Sequence, residues 1–149
     1  MSSEAFSAGE AIPLRYTCDG ENVSPALSWT GTPQGTRTFA VIVDDPDAPR
    51  GTFTHWVAFN LPPGDQGLPE GVPTVEQLES GALQGRNDAG STGYRGPCPP
   101  QGNPHHYRFF IYALNAPLDL DPGASKQQVL DAMQGHILDE TQLVGTYQR

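Results

Sequence analysis

Cationic side chains are scarce in this chain: 8 Lys and Arg stand against 17 Asp and Glu, for a formal net charge of −9 at pH 7. A surface of that sign repels nucleic-acid phosphates and anionic lipid headgroups, so neither nucleic acid nor membrane is expected as a partner. Cysteine is scarcer still. Cys18 and Cys98 lie far apart and outside any CxxC pair, which excludes a zinc framework built on thiolates. The four histidines show no HxxxH or HExxH spacing. No metal and no cofactor is therefore expected. No apolar run approaches the roughly 20 residues that span a bilayer. Met1 to Phe6 carries neither the basic nor the apolar segment of a secretory signal. The resulting expectation is a cytoplasmic chain with reduced cysteines. Internal repeats and low-complexity tracts are also missing.

What the chain has in quantity is turn formers, 17 Gly and 15 Pro in 149 residues, spaced between short apolar runs. That pattern suggests many tight connections between strands rather than disorder. The length suits one domain, residues 1–149, able to withdraw roughly 70% of its unfolded surface from water without a covalent staple.

The most informative stretch is Asp44-Asp45-Pro46-Asp47-Ala48-Pro49. It follows Phe39-Ala40-Val41-Ile42-Val43, which is short, β-branched and aromatic, and reads as a buried strand over Thr38 to Val43. Two prolines within four residues stiffen the loop, so a core strand delivers three carboxylates to one rigid spot. Asp44 and Asp47 read mostly as turn formers, since Asp accepts hydrogen bonds from nearby backbone. Asp45 reads as functional, because the strand Thr54 to Leu61 brings His55 and Trp56 back toward it if the two strands pair.

Elsewhere, Leu27-Ser28-Trp29 suggests a brief strand and Thr74 to Leu78 a single helical turn within a long excursion from Pro62 to Gly90. Gly93 to Pro104 is too rich in Pro and Gly for regular structure. His105 to Leu114 reads as a third major strand. Its period of two puts His105, Tyr107, Phe109 and Ile111 on one face and His106, Arg108, Phe110 and Tyr112 on the other. A helix is signalled by Ser125 as N-cap, Gln128 completing a capping box, the stripe Val129, Leu130 and Met133, and Gly135 as terminator. Gln142 to Tyr147 reads as a last strand. Mainly β structure of sandwich type, with one or two short helices, is the fold class these elements imply.

Asp45, His55, His105 and Tyr107 come from three places, each beside a Pro-rich loop at a strand end. Together they suit a small anion or zwitterion: protonated imidazole and phenol donate to phosphate or carboxylate oxygens, and a carboxylate holds a neighbouring imidazole charged. Three other readings use the same residues. Asp45, His55 and His105 are types that ligate zinc or iron. Cys98 with a histidine and an aspartate is the set of a nucleophilic enzyme, although flanking Pro97 and Pro99 favour a structural cysteine. In the third, the histidines merely cap strands and the aromatics are core, which suffices for Trp29, Phe109, Phe110 and Tyr112, and best suits His106 and Arg108.

The blocks DPDAPRGTFTHWVAFNLP and GYRGPCPPQGNPHHYRFFIYAL resemble the phosphatidylethanolamine-binding, or Raf kinase inhibitor-like, family. The opening RYTCDGENVSPALSW and the ending VLDAMQGHILDETQLVGTYQR are similar to its short prokaryotic and archaeal branch. The resemblance covers nearly the whole chain. It implies an antiparallel β-sandwich of Greek-key type with a small anion-binding cavity lined by Asp45, His55, Pro100, His105 and Tyr107. It further implies phosphate, acetate-like anions or phosphoryl head groups as ligands, and a non-enzymatic role as regulator or inhibitor of a kinase or serine protease. Homodimers are common in the short branch, so a second copy joins the expected partners.

Overall fold

The structure is a computed structural model describing residues 1–149. In chain order it forms β1 (Leu27–Ser28), β2 (Thr38–Asp45), β3 (Phe53–Leu61), β4 (Gly67–Leu68), β5 (Leu83–Gln84), β6 (His105–Leu114), α1 (Lys126–Met133) and β7 (Ile137–Tyr147). Five strands make one sheet in the order β5-β3-β2-β6-β7, and β1 with β4 makes a second, every pairing antiparallel. Within the large sheet, β6 returns to lie beside β2, the Greek-key order that the family resemblance implies.

β2 is the axis of this arrangement because all eight of its residues are buried. A strand with both faces covered needs apolar residues at every position, which is why Phe39 to Val43 reads as a continuous run rather than an alternation. Phe39, Val41 and Val43 pack into a cluster of 20 buried residues with Trp56, Tyr107, Phe109 and the second sheet's Leu27 and Leu68. Ala40 and Ile42 face the other way, into a cluster of 10 with Val57, Phe59, Leu114 and the helical Val129 and Met133. The two faces anticipated for β6 divide between these clusters, Tyr107, Phe109 and Ile111 in the first, Tyr112 in the second with Phe110 against it.

The helix forms where the sequence signals it. The Ser125 hydroxyl accepts from the Gln128 backbone N–H at 3.1 Å while the Gln128 side chain accepts from the Ser125 N–H at 2.9 Å. Such a cap stabilises by about 1 kcal/mol. Gly135, at φ 82°, ends it.

Three expectations need correction. Thr74 to Leu78 makes no helical turn, because the Gln84 amide, fully buried, takes the Pro73 and Val75 carbonyls at 2.7 and 2.8 Å and holds that segment open. β7 begins five residues before Gln142, since Ile137 to Gln142 is an exposed edge whose pairing with β6 leaves no apolar alternation to read. The cysteines are not reduced: Cys18 and Cys98 form a disulfide, with Cα atoms 5.4 Å apart. Separation in sequence says nothing against pairing once two loops are folded together. Here the Cys18 N–H donates to the Pro97 carbonyl at 3.1 Å and the Gly96 N–H to the Asn22 side chain at 2.8 Å. Gly96 permits that approach, as a Cβ there would sit 2.2 Å from the Tyr16 carbonyl oxygen.

The bridge spans 80 residues, so in the chain-entropy account it raises stability by about 4 kcal/mol. Replacing both cysteines by serine should lower the urea midpoint, and a reducing agent should do the same to the wild type but leave the double variant unmoved. Equal midpoints for all forms would show that the surrounding hydrogen bonds suffice.

Candidate functional site

The register of three neighbouring strands sets the site. Asp45, at the end of β2, lies opposite Phe53 of β3, and Asp44 lies opposite Arg108 of β6. Between the pairs Val43 with Trp56 and Asp44 with Thr54 the register slips by one residue, leaving His55 as the extra residue of a β-bulge. In a regular strand His55 and Trp56 would face opposite ways. The bulge lets Trp56 pack in the larger core cluster while His55 and Phe53 both line a cavity on that same side.

That cavity has a volume of about 240 Å³, is open to solvent, and collects all five residues named from the sequence: Asp45, His55, Pro100, His105 and Tyr107. Its wall is the loop of Arg95, Gly96, Cys98, Pro99 and Pro100. The loop is pinned by the disulfide and by the chain terminus, where the Gly102 N–H donates to the Arg149 carbonyl and the Gln148 amide to the Gly102 carbonyl. Rigid walls of this kind hold a ligand site without ordering cost on binding.

Asp45 is buried, with one donor on each carboxylate oxygen. Its Oδ1 accepts the Asp47 N–H at 2.8 Å and its Oδ2 accepts His105 Nδ1–H at 2.7 Å. It is His105 rather than His55 that holds this carboxylate, which corrects the pairing read from the sequence. The Nε2 of His105 is left free of protein partners.

His55, 5% exposed, makes a reciprocal bond with the loop: its Nδ1–H donates to the Arg95 carbonyl at 2.6 Å and its carbonyl accepts the Arg95 N–H at 2.9 Å. The ring is held between Phe53, 4.7 Å away, and the edge of Tyr107, 5.3 Å away. Burial among these rings pushes its pKa below 6.5, more strongly than the Arg95 carbonyl and the Asp45 charge push it back. A charged imidazole at this position, as the sequence suggested, is therefore replaced by a neutral one.

Tyr107, 1% exposed, has a hydroxyl with no hydrogen-bond partner, alone among the buried side-chain polar atoms. Burial, with the Asp45 carboxylate close enough to draw the hydroxyl proton although no well-aligned hydrogen bond joins them, pushes its pKa up, so it remains a phenol with a proton to donate. An orphaned buried hydroxyl costs about 1–3 kcal/mol.

The other carboxylates of the motif have separate duties. Asp44 is no turn former: its side chain is 1% exposed and accepts Arg108 Nε–H at 2.7 Å, Arg108 Nη2–H at 3.0 Å and Lys126 Nζ–H at 2.7 Å. Asp47 accepts both the backbone N–H and Nδ1–H of His106, and those bonds hold its pKa below the usual carboxylate value. His105 and His106 thus point apart and each takes one aspartate. Neither of the aspartates' partners is a metal-type cluster, as no group of three or more His, Cys, Asp or Glu is gathered anywhere. Cys98 cannot serve as a nucleophile while its sulfur is in the disulfide.

Two contributors escaped the sequence reading. Arg95 brings a cation to the cavity wall, and its signal was a lone basic residue inside the GYRGPCPP block. Asp88 fixes the start of β3, accepting the Thr54 N–H at 2.7 Å while its own N–H donates to the Thr54 carbonyl at 2.9 Å. Nothing short-range marks that role.

An antiparallel sandwich whose central strand ends in such a cavity defines a class, and comparison identifies it. The family model described as phosphatidylethanolamine-binding protein matches residues 2–148, and the chain belongs to that family. It is 55% identical over 149 residues to a UPF0098 protein of Methanothermobacter thermautotrophicus, covering 100% of this chain and 98% of that one. The crystal structure of a Chlamydia trachomatis protein, titled a homologue of phosphatidylethanolamine-binding protein, superposes with a TM-score of 0.90 at 41% identity, covering 99% and 95% of the two chains. Escherichia coli YbcL, described as a member of the mammalian family, superposes at 0.93 with 35% identity, over 99% and 96%.

Because His55 is held neutral in the folded state, the unfolded chain binds the extra proton as pH falls below 6.5, and this residue's contribution to stability declines from there toward its folded pKa. NMR titration should place the His55 midpoint below 6.5 with the proton on Nδ1 in the neutral form. A midpoint at or above 6.5 would contradict the burial argument.

Proposed function

We propose that this chain is a non-enzymatic binding protein that takes a small phosphorylated or carboxylate anion in the cavity between His55 and His105, and that occupancy of the cavity modulates a protein partner. The observation that carries this reading is the meeting of two imidazoles with free ring nitrogens and an unpartnered buried phenol around one solvent-open hollow whose wall includes Arg95. Each aspartate nearby already has its donors, so the wall of a chain with net charge −9 offers an anion no unpaired carboxylate. Binding without turnover is supported by the lining itself, which includes neither serine nor threonine and whose one cysteine is oxidised.

A kinase or serine protease is the partner class that the family resemblance favours. The disulfide-pinned loop from Gly93 to Pro104 is a rigid surface of the kind that docks without ordering cost. Inhibition that persists in His105→Ala would assign it to the loop rather than to the anion.

Titration with inorganic phosphate should shift the ring signals of both His55 and His105, and silence from both at millimolar phosphate would remove the reading. Tyr107→Phe should weaken phosphate binding by roughly fivefold to tenfold, the worth of one hydrogen bond. The same change should not lower the thermal midpoint, since the hydroxyl removed has no partner in the fold.

A further inference from the structure

Resting on the anion-binding reading above, we propose that the cavity selects an anion that still carries an O–H, hydrogen phosphate or a monoprotonated phosphate monoester, over fully deprotonated tetrahedral anions such as sulfate. The selecting group is Nε2 of His55.

The argument begins at the opposite ring nitrogen. Nδ1 of His55 lies 2.6 Å from the Arg95 carbonyl oxygen, which only accepts, so the ring proton belongs on Nδ1. Nε2 of the neutral ring is then a lone pair. It has no protein partner, yet the Tyr107 hydroxyl is the single buried polar side-chain atom left unpartnered, so Nε2 must be open to the cavity. What reaches it there has to donate.

The charges around the ring leave it in that state. Asp45, from β2, gives its carboxylate to His105 and to the Asp47 N–H. From β6 come His105 and the Tyr107 phenol, and from the loop comes Arg95, whose positive charge opposes protonation of His55. Asp44 is engaged by Arg108 and Lys126, and Asp88 by the Thr54 N–H. No carboxylate touches the His55 ring to compensate a proton on Nε2.

Sulfate presents only acceptor oxygens near neutral pH, so an oxygen at Nε2 meets lone pair with lone pair. Hydrogen phosphate turns its P–OH to Nε2 while another oxygen accepts from the Tyr107 hydroxyl. His105 adds a second acceptor if neutral and a donor if charged, and neither changes what His55 requires. Sites that demand a hydrogen bond reject a near-isostere lacking it more sharply than sites that compare size alone.

The test is calorimetry on the full disulfide-bonded chain with sodium phosphate and sodium sulfate at equal ionic strength, at pH 8, at pH 7 and in steps downward through the His55 midpoint that NMR locates. Phosphate should bind at least about tenfold more tightly than sulfate at pH 7. Its affinity should hold from pH 7 to 8, because hydrogen phosphate keeps its remaining proton through that range. The preference over sulfate should narrow once the pH falls through the His55 midpoint, which lies below 6.5, because protonation turns Nε2 into a donor. His55→Gln, whose amide rotates to offer either donor or acceptor, should bring the two anions to within roughly threefold of one another. Equal binding of phosphate and sulfate by the wild type at pH 7 overturns the selectivity and leaves the anion site standing. Binding of neither overturns both. If His55→Gln fails to fold, the wild-type pH series decides alone, and a phosphate-to-sulfate ratio that stays constant as the pH falls through the His55 midpoint refutes the role given to Nε2.

Discussion

The antiparallel seating of β2 between β3 and β6 is the constraint on which the rest of the molecule depends. Because β2 is buried on both faces, its register is fixed by side-chain packing on each, and a slip of one residue would exchange the two clusters. The same register carries Asp45 out of the core at the point where β3 starts and β6 starts. Three segments distant in sequence therefore meet through strand pairing, and no separate device is needed to gather them. The bulge at His55 is the one departure from regular pairing there, and it is the departure that gives His55 its place in the cavity.

Electrostatics divides along the same strand. Asp44 points to the back of the sheet, where Arg108 and Lys126 surround it, and Asp45 points to the front, where His105 takes it. Asp47, beyond the strand, ties the loop to His106. Three consecutive-looking carboxylates thus go to three different places, each with hydrogen-bond donors. Isolated carboxylates beside the cavity would repel an anion, whereas these leave imidazole nitrogens and a phenol as its polar side-chain contacts. The overall charge of −9 still disfavours anion approach at long range, so affinity must come from contacts inside the cavity.

Local signals in the sequence account for much of this. The β-branched run before Asp44, the alternation from His105 to Tyr112 and the capping box at Ser125 are each decided within a few residues, and the structure has all three. The five cavity residues were reachable as well, Asp45, His55, His105 and Tyr107 from strand ends and Pro100 from family resemblance. What escaped was decided at long range. Asp44 looks like any Asp of an Asp-Pro-rich turn until Lys126 is folded against it, 82 residues on. The bulge that aims His55 leaves no trace in composition. The first half of β7 is polar because it is an exposed edge, so its pairing could not be read from hydrophobic period. Charge at the histidines went astray for a related reason: a carboxylate nearby in sequence argued for protonation, and burial, visible only in the fold, argues the other way at His55.

The central claim is that strand register, through one bulge, builds a cavity ready for a phosphate-sized anion. A crystal structure grown with a phosphate monoester tests it most directly. The account predicts a tetrahedral anion within hydrogen-bonding distance of Nε2 of both His55 and His105, with the Tyr107 hydroxyl now partnered. A hollow closed by the Pro99-Pro100 loop, or an anion bound only elsewhere, would contradict it.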